Sequence, residues 1–262
     1  MKRLLVALLL CFPASLAMAQ NATITFAVVP NYPPLEFRDP ATGALAGFDV
    51  ELGNAVATKL GRTAVWQETS FDQMLAALQT GRVDAILSGM SDVATRHEAA
   101  SFVDYLRTAP QFLIQAARAA EFKEATALCG HKVGASRRTL FPNNIAAWSD
   151  AHCGGNPIDV VGTDGSADAR IQLKQGRIDA AVQGNETLPY VMDQEQGAYQ
   201  TVGEPFGGSL NGIALPVQDT ALQTAVAGAL EQLIADGSYA RLLAQWKLAP
   251  NAIAKASINA GQ

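Results

Sequence analysis

Two periodicities alternate along the 262-residue chain. Short apolar runs such as "ITFAVVP" (24–30), "RVDAILSG" (82–89), "HKVGAS" (131–136) and "NGIALPV" (211–217) are bounded by Gly, Ser, Asn or Pro and read as buried strands. Between them the spacing of apolar positions becomes helical in "DVELGNAVATKLG" (49–61), "FDQMLAALQTG" (71–81) and the long stretch 219–246, in which Gly237 marks a break. Alternating strands and helices predict an α/β fold. The run around residue 85 also raises a chemical question. After Val83, Ala85, Ile86 and Leu87 it dissolves into Ser88, Gly89 and Ser91, with Arg96 soon after. Small hydroxyl residues and a glycine admit a ligand to the backbone, and a guanidinium fork matches a carboxylate. The plainer alternative is a polar turn and a surface helix with Arg96 paired to Glu98.

The same stretch has a counterpart. "LQTGRVDAILSG" (78–89) and "LKQGRIDAAVQG" (173–184) share Leu, Gly, Arg, a branched apolar residue, Asp, Ala and a final Gly at equal spacing. Each copy reads as a helix end capped by Gly81 or Gly176, then a buried strand with a loop at its carboxyl end. Two similar α/β lobes follow, and ligands of such sheets sit outside the carboxyl ends of the strands. With the return to the first lobe near Asn211–Val217, lobe one comprises 20–108 and 211–262, and lobe two, 109–210, is inserted in it. Two chain crossings then form a hinge on which the lobes close. Asp84 and Asp179 hold equivalent places and read as braces of the strands, with no ligand role.

The amino terminus changes the compartment. Lys2 and Arg3, an apolar run from Leu4 to Leu10, and small residues at Ala17 and Ala19 make residues 1–19 a secretory leader, cut before Gln20. Losing Lys2 and Arg3 with it takes the net charge from −5 to −7, which disfavours nucleic acid and anionic membrane as partners. Cys129 and Cys153 remain after Cys11 is removed. In an oxidising compartment the pair reads most simply as a disulfide. Metal ligation with His131 and His152 is the alternative, but the spacing matches no usual zinc pattern. The chain has no GxSxG, no HExxH and no phosphate loop ending in Lys and Ser or Thr.

Several separate motifs occur in one recognisable order: "YPPLEFRDPATGALAGFDVELGNAVATKLG", "FDQMLAALQTGRVDAILSGMS", the arginine of "ATRHE", "GRIDAA" and "LIADGSYARLLAQW". Together they resemble the family 3 solute-binding proteins of bacterial ABC importers, over essentially the whole chain after the leader. The resemblance implies two α/β lobes of the type II periplasmic-binding-protein fold, a monomer in the periplasm, an inner-membrane permease as partner, and neither cofactor nor metal. By its matching positions, Tyr32 and Phe71 wall the ligand, and Ser88, Gly89, Met90 and Ser91 offer hydroxyl and backbone groups to a carboxylate. Arg96 pairs with that carboxylate, and Ser136 and Thr139 approach it from lobe two. "LCGHKVGAS" followed by Cys153 is similar to a subgroup with a lobe-two disulfide.

Three departures bear on the ligand. Gly184 stands where amino-acid binders carry the aspartate for the α-ammonium, so either Glu186 reaches back or the ligand lacks an α-amino group. If the missing counter-ion limits binding, Gly184→Asp improves it. Arg138 stands where a glycine is usual. Periplasmic dehydratases of the same fold place a general-acid glutamate in the lobe-two loop, one position beyond Glu186, where this chain has Thr187. An enzyme of that kind, and a ligand-sensing partner of a signalling system, are the alternatives to a transport receptor with no chemistry of its own.

Overall fold

The computed structural model describes residues 23–261, so the expected leader over 1–19 lies outside the described residues. One sheet runs in the order Ser257–Ile258, Ser101–Thr108, Ser209–Leu215, Ala85–Ile86, Thr23–Val28, Thr63–Glu68, with Ser91–Asp92 paired to Ser209–Leu215. A second runs Asp159–Thr163, Lys132–Ser136, Ala180–Gly184, Pro110–Gln115, Tyr199–Val202. In each, the three strands toward one edge are parallel, Ala85–Ile86, Thr23–Val28 and Thr63–Glu68 in the first and Asp159–Thr163, Lys132–Ser136 and Ala180–Gly184 in the second, and the others pair antiparallel. Apolar side chains cover both faces of each sheet. Phe26, Leu52 and Tyr105 pack on one face of the first and Ala27, Leu78 and Phe102 on the other. Phe112 and Val182 serve one face of the second, Leu113 and Leu173 the opposite one. Burial on both sides is why these strands read as unbroken apolar runs.

The chain passes from the first sheet to the second across Ala109 and returns over 203–208. The two echoing segments adopt the same local structure. Gly81 and Gly176 end their helices at φ 68° and 66°, a left-handed conformation that suits glycine. Asp84 Oδ2 accepts from the Thr25 amide at 2.7 Å, and Asp179 Oδ2 from the Lys132 amide at 3.0 Å. Each aspartate therefore braces the neighbouring parallel strand. The long carboxyl-terminal helix breaks at Gly237, φ 77°, into Thr220–Ala235 and Ser238–Gln245.

Cys129 and Cys153 form a disulfide with their Cα atoms 5.3 Å apart, 24 residues apart in sequence. It ties the end of the helix Phe141–His152 to the turn before Lys132–Ser136. By chain entropy such a loop contributes about 3.5 kcal/mol.

Candidate functional site

The carboxyl ends of the parallel strands in both sheets face one cavity of about 370 Å³. Thr23–Val28 leads to Val29, Asn31 and Tyr32, and Thr63–Glu68 to Ser70 and Phe71. Lys132–Ser136 leads to Arg138 and Thr139, Asp159–Thr163 to Asp164–Asp168, and Ala180–Gly184 to Glu186. The cavity brings together Tyr32, Phe71, Ser88, Gly89, Ser91, Arg96, Ser136, Thr139 and Glu186. Met90 is not among its walls. Its side chain is 1% exposed within the apolar cluster of Leu78, Ile86 and Phe102, and its carbonyl accepts from the Gly212 amide. Alternation along the extended backbone turns Met90 inward while Ser91 faces the cavity.

The hydroxyls differ in what they have left to offer. Ser88 Oγ donates to Glu36 Oε1 at 2.7 Å and accepts from the Val29 amide at 3.0 Å, and Gly89 donates its amide to Asp49 Oδ2 at 2.9 Å. These groups serve buried acids. Gly89 sits at φ +56° with the Tyr32 ring 3.3 Å from where a Cβ would lie, so a side chain here is disfavoured twice. Thr139 Oγ1 donates to the Ser136 carbonyl at 2.8 Å and accepts from the Phe141 amide, fixing the turn into the helix Phe141–His152.

Arg96 ends a short 3-10 turn, Ala94–Arg96. Its Nη1 donates to the Ser91 carbonyl at 2.7 Å, and its guanidinium lies 5.9 Å from the centre of the Phe71 ring. Among the described residues it forms no salt bridge, to Glu98 or to any other acid. Desolvation lowers its pKa. Glu186 is 1% exposed. Its Oε1 accepts from the Tyr32 hydroxyl at 2.8 Å and its Oε2 from the Thr108 hydroxyl. Burial raises its pKa, against those two hydroxyls. It has no cationic partner among the described residues.

Gly184 is the point where the expectation for a substitution changes. A Cβ built on it would lie 2.0 Å from Glu186 Oε1 and 2.3 Å from Oε2. The Glu186 carboxylate thus occupies the volume that a side chain at 184 would fill. Gly184→Asp has no room to add a second carboxylate, and it collides with the first.

Family models and known proteins agree on this chain. Residues 24–249 match the model of the bacterial extracellular solute-binding proteins, family 3. The chain belongs to that family. The arginine-binding protein ArgT of Corynebacterium glutamicum is 29% identical to this solute-binding protein over 246 residues, covering 93% of this chain and 80% of its own. The histidine-binding periplasmic protein of Salmonella typhimurium is 27% identical over 250 residues, 89% of this chain and 94% of its own. Among solved structures, an ancestral arginine-binding protein bound to arginine superposes with a TM-score of 0.76 at 28% identity, covering 86% of this chain and 98% of that one. The two sheets and their double crossing are thus the type II periplasmic-binding-protein fold.

Two buried acids at the cavity escaped the sequence reading. Glu36, 1% exposed, is one of the lining residues, Asp49 is fully buried behind it, and Glu36 Oε2 and Asp49 Oδ1 have no hydrogen-bond partner among the described residues. Burial, and then the charge of Asp49, pushes the Glu36 carboxyl up, the direction in which one proton shared between the two carboxyls would satisfy both oxygens. Tyr105 donates to Asp49 Oδ2 at 2.8 Å. A signal for both was present: each is a lone acid between large apolar residues, Leu35 and Phe37 or Phe48 and Val50. Arg138 lines the cavity wall from lobe two, with Nη1 4.0 Å from Asp72 Oδ1 of lobe one. Both are about half exposed, so that pair adds little.

Proposed function

We propose that this family 3 solute-binding protein captures an α-amino acid as a zwitterion in the interlobe cavity and delivers it to the inner-membrane permease of an ABC importer. The observation that carries the reading is a pair of opposite charges in one cavity, Arg96 and Glu186, neither in a salt bridge among the described residues. A carboxylate answers the first and an ammonium the second. Each would otherwise remain a desolvated charge without a partner. Glu186 takes the place of a counter-ion at 184, since its carboxylate fills that volume. The relatives named for arginine and histidine support an amino acid as ligand. Tyr32 and Phe71 hold the body of the ligand, with Ser91, Ser136 and Thr139 around its carboxylate. The protein acts as a monomer in the periplasm, and closing of the lobes reports occupancy.

A receptor without chemistry of its own is favoured over a dehydratase. Thr187, which stands at the position of that enzyme's acid, donates its hydroxyl to the Gly184 carbonyl, accepts from Gln183 and does not line the cavity. Thermal unfolding and calorimetry of ligand-stripped protein, titrated with the twenty L-amino acids and their deaminated acids, test the reading. Binding at a hundredfold excess over Kd adds about 2.7 kcal/mol of stability. Arg96→Ala removes one partner of a buried charge pair and is expected to weaken binding by about 2–5 kcal/mol. Wild-type affinity in Arg96→Ala refutes the carboxylate clamp, and a response to deaminated acids alone refutes the zwitterion.

A further inference from the structure

Ser91 and Asp92 form a two-residue strand against Leu210 and Asn211, and a short turn then carries the chain to Arg96. Ser91 lines the cavity, and its carbonyl accepts from Arg96 Nη1. Alternation along the strand turns Asp92 the other way, off the cavity wall, where it is fully buried. Both of its carboxylate oxygens are taken up by segments on either side of the clamp. Oδ1 meets His97 Nε2 at 2.5 Å, a contact that closes the loop 92–97 around Arg96. Oδ2 accepts from the Gly261 amide at 2.7 Å. The segment that delivers this amide is itself held. Ser257 Oγ donates to Asp104 Oδ2 at 2.6 Å, Asn259 Oδ1 accepts from the Phe102 amide at 2.7 Å, and the Asn259 amide donates to the Phe102 carbonyl at 3.0 Å. A buried carboxylate is costly where an apolar residue would not be. Here it fixes a turn, and Arg96 is the cation that the turn carries.

We propose that Asp92 is a positioning residue for Arg96, holding through His97 on one side and Gly261 on the other the turn that presents the guanidinium to the ligand's carboxylate. The proposal rests on the reading of Arg96 as the carboxylate clamp. An arginine held in its binding geometry before the ligand arrives has less freedom left to lose on binding. Loosening the turn therefore weakens recognition of the carboxylate and leaves the other contacts of the ligand in place.

The test takes the L-amino acid that gives the largest thermal shift and its α-carboxamide, in which a neutral amide replaces the carboxylate. Both are titrated calorimetrically into wild type, Asp92→Asn, His97→Leu, His97→Gln, Gly261→Ala and Arg96→Ala. Asp92→Asn exchanges one of the two acceptors for an NH2 group. His97→Leu removes the side-chain partner of Oδ1, and His97→Gln returns a donor near the same place. Gly261→Ala sets a methyl 2.1 Å from the Asp92 carbonyl oxygen and so displaces the tail while residues 91–97 keep their sequence. Asp92→Asn, His97→Leu and Gly261→Ala are expected to lower the ratio of acid to amide affinity by about 3- to 10-fold, the ordering of one mobile side chain, with the amide bound as by wild type. His97→Gln is expected to keep the wild-type ratio. The His97 side chain is 26% exposed and Gly261 lies in the tail, so these variants keep the comparison open if Asp92→Asn does not fold. A role in stability alone lowers the unfolding temperature and leaves the ratio intact. An unchanged ratio in His97→Leu and Gly261→Ala, equal losses for acid and amide, or a His97→Gln that behaves as His97→Leu overturns the proposal. An unchanged ratio in Arg96→Ala instead identifies failure of the clamp on which the proposal rests.

Discussion

Glu186→Gln is the substitution that separates charge from shape in this cavity. The side chain keeps its size, and its amide oxygen can still accept from Tyr32 or Thr108, which now flank Oε1 and Oε2 of the carboxylate. Only the negative charge is lost. Leaving a buried ammonium without its partner costs about 2–5 kcal/mol, which is about 30- to 5,000-fold in Kd. The full loss appears only where Glu186 is ionised. Burial raises its pKa, so as pH falls toward that raised value the empty protein takes up a proton there, which an incoming ammonium must displace. The affinity of the wild type for an amino acid therefore rises with pH through that raised pKa and then levels off. Affinity for a deaminated acid moves the other way, because a neutral Glu186 is the better neighbour for a methylene. In Glu186→Gln both dependences disappear. Isothermal titration between pH 5 and 8, in buffers of different ionisation enthalpy, reads affinity and proton release together. Proton release on amino-acid binding is expected in wild type and absent in the variant. The reasoning is refuted if Glu186→Gln binds amino acids like wild type, or if it loses amino acids and deaminated acids equally.

Two further outcomes follow from packing and burial. Gly184→Ala sets a methyl 2.0 Å from Glu186 Oε1, so the carboxylate must leave its bonds to Tyr32 and Thr108. Amino-acid affinity should fall by about 10- to 100-fold, the worth of hydrogen bonds to a charged group, and unchanged affinity by calorimetry would show that Glu186 has room to spare. Asp104 is fully buried beside Asp92, paired in register with Ser257 of the neighbouring strand Ser257–Ile258, and burial pushes it up to about 7. A carboxyl raised in the folded state stabilises fully below its unfolded pKa, and that stability is lost as pH rises through the folded value. The unfolding midpoint of ligand-free protein should therefore drop between pH 5 and 8, with a shallower drop in Asp104→Asn. An equal slope in the two proteins would remove Asp104 as the source.

Local pattern was enough to place the strands near 24–30, 82–89, 131–136 and 211–217, the helices near 49–61, 71–81 and 219–246, the glycine ends at Gly81, Gly176 and Gly237, and the paired braces Asp84 and Asp179, but not elements such as Ser101–Thr108 or Phe141–His152. Periodicity and backbone conformation are properties of neighbouring residues, and each of these features depends on a few consecutive positions. That loops at the carboxyl ends of the parallel strands converge on one cavity was legible too, and the resemblance marked part of its wall, whereas Asn31, Glu36 and the loop 164–168 were not singled out. What each wall residue does was decided by contacts distant in sequence. Ser88 looked available until the fold set Glu36 against it, 52 residues away. Glu36 and Asp49 were invisible as a pair because only closure of the chain brings the two buried carboxyls together. Met90 followed its strand's alternation into the core, away from the loop it was grouped with. Glu186 found its place because Gly184 leaves a side chain's volume empty and Tyr32, 154 residues away, closes over it. The residue types were written in the chain, while their pairing, and so the charge that faces the ligand, required two lobes packed against each other.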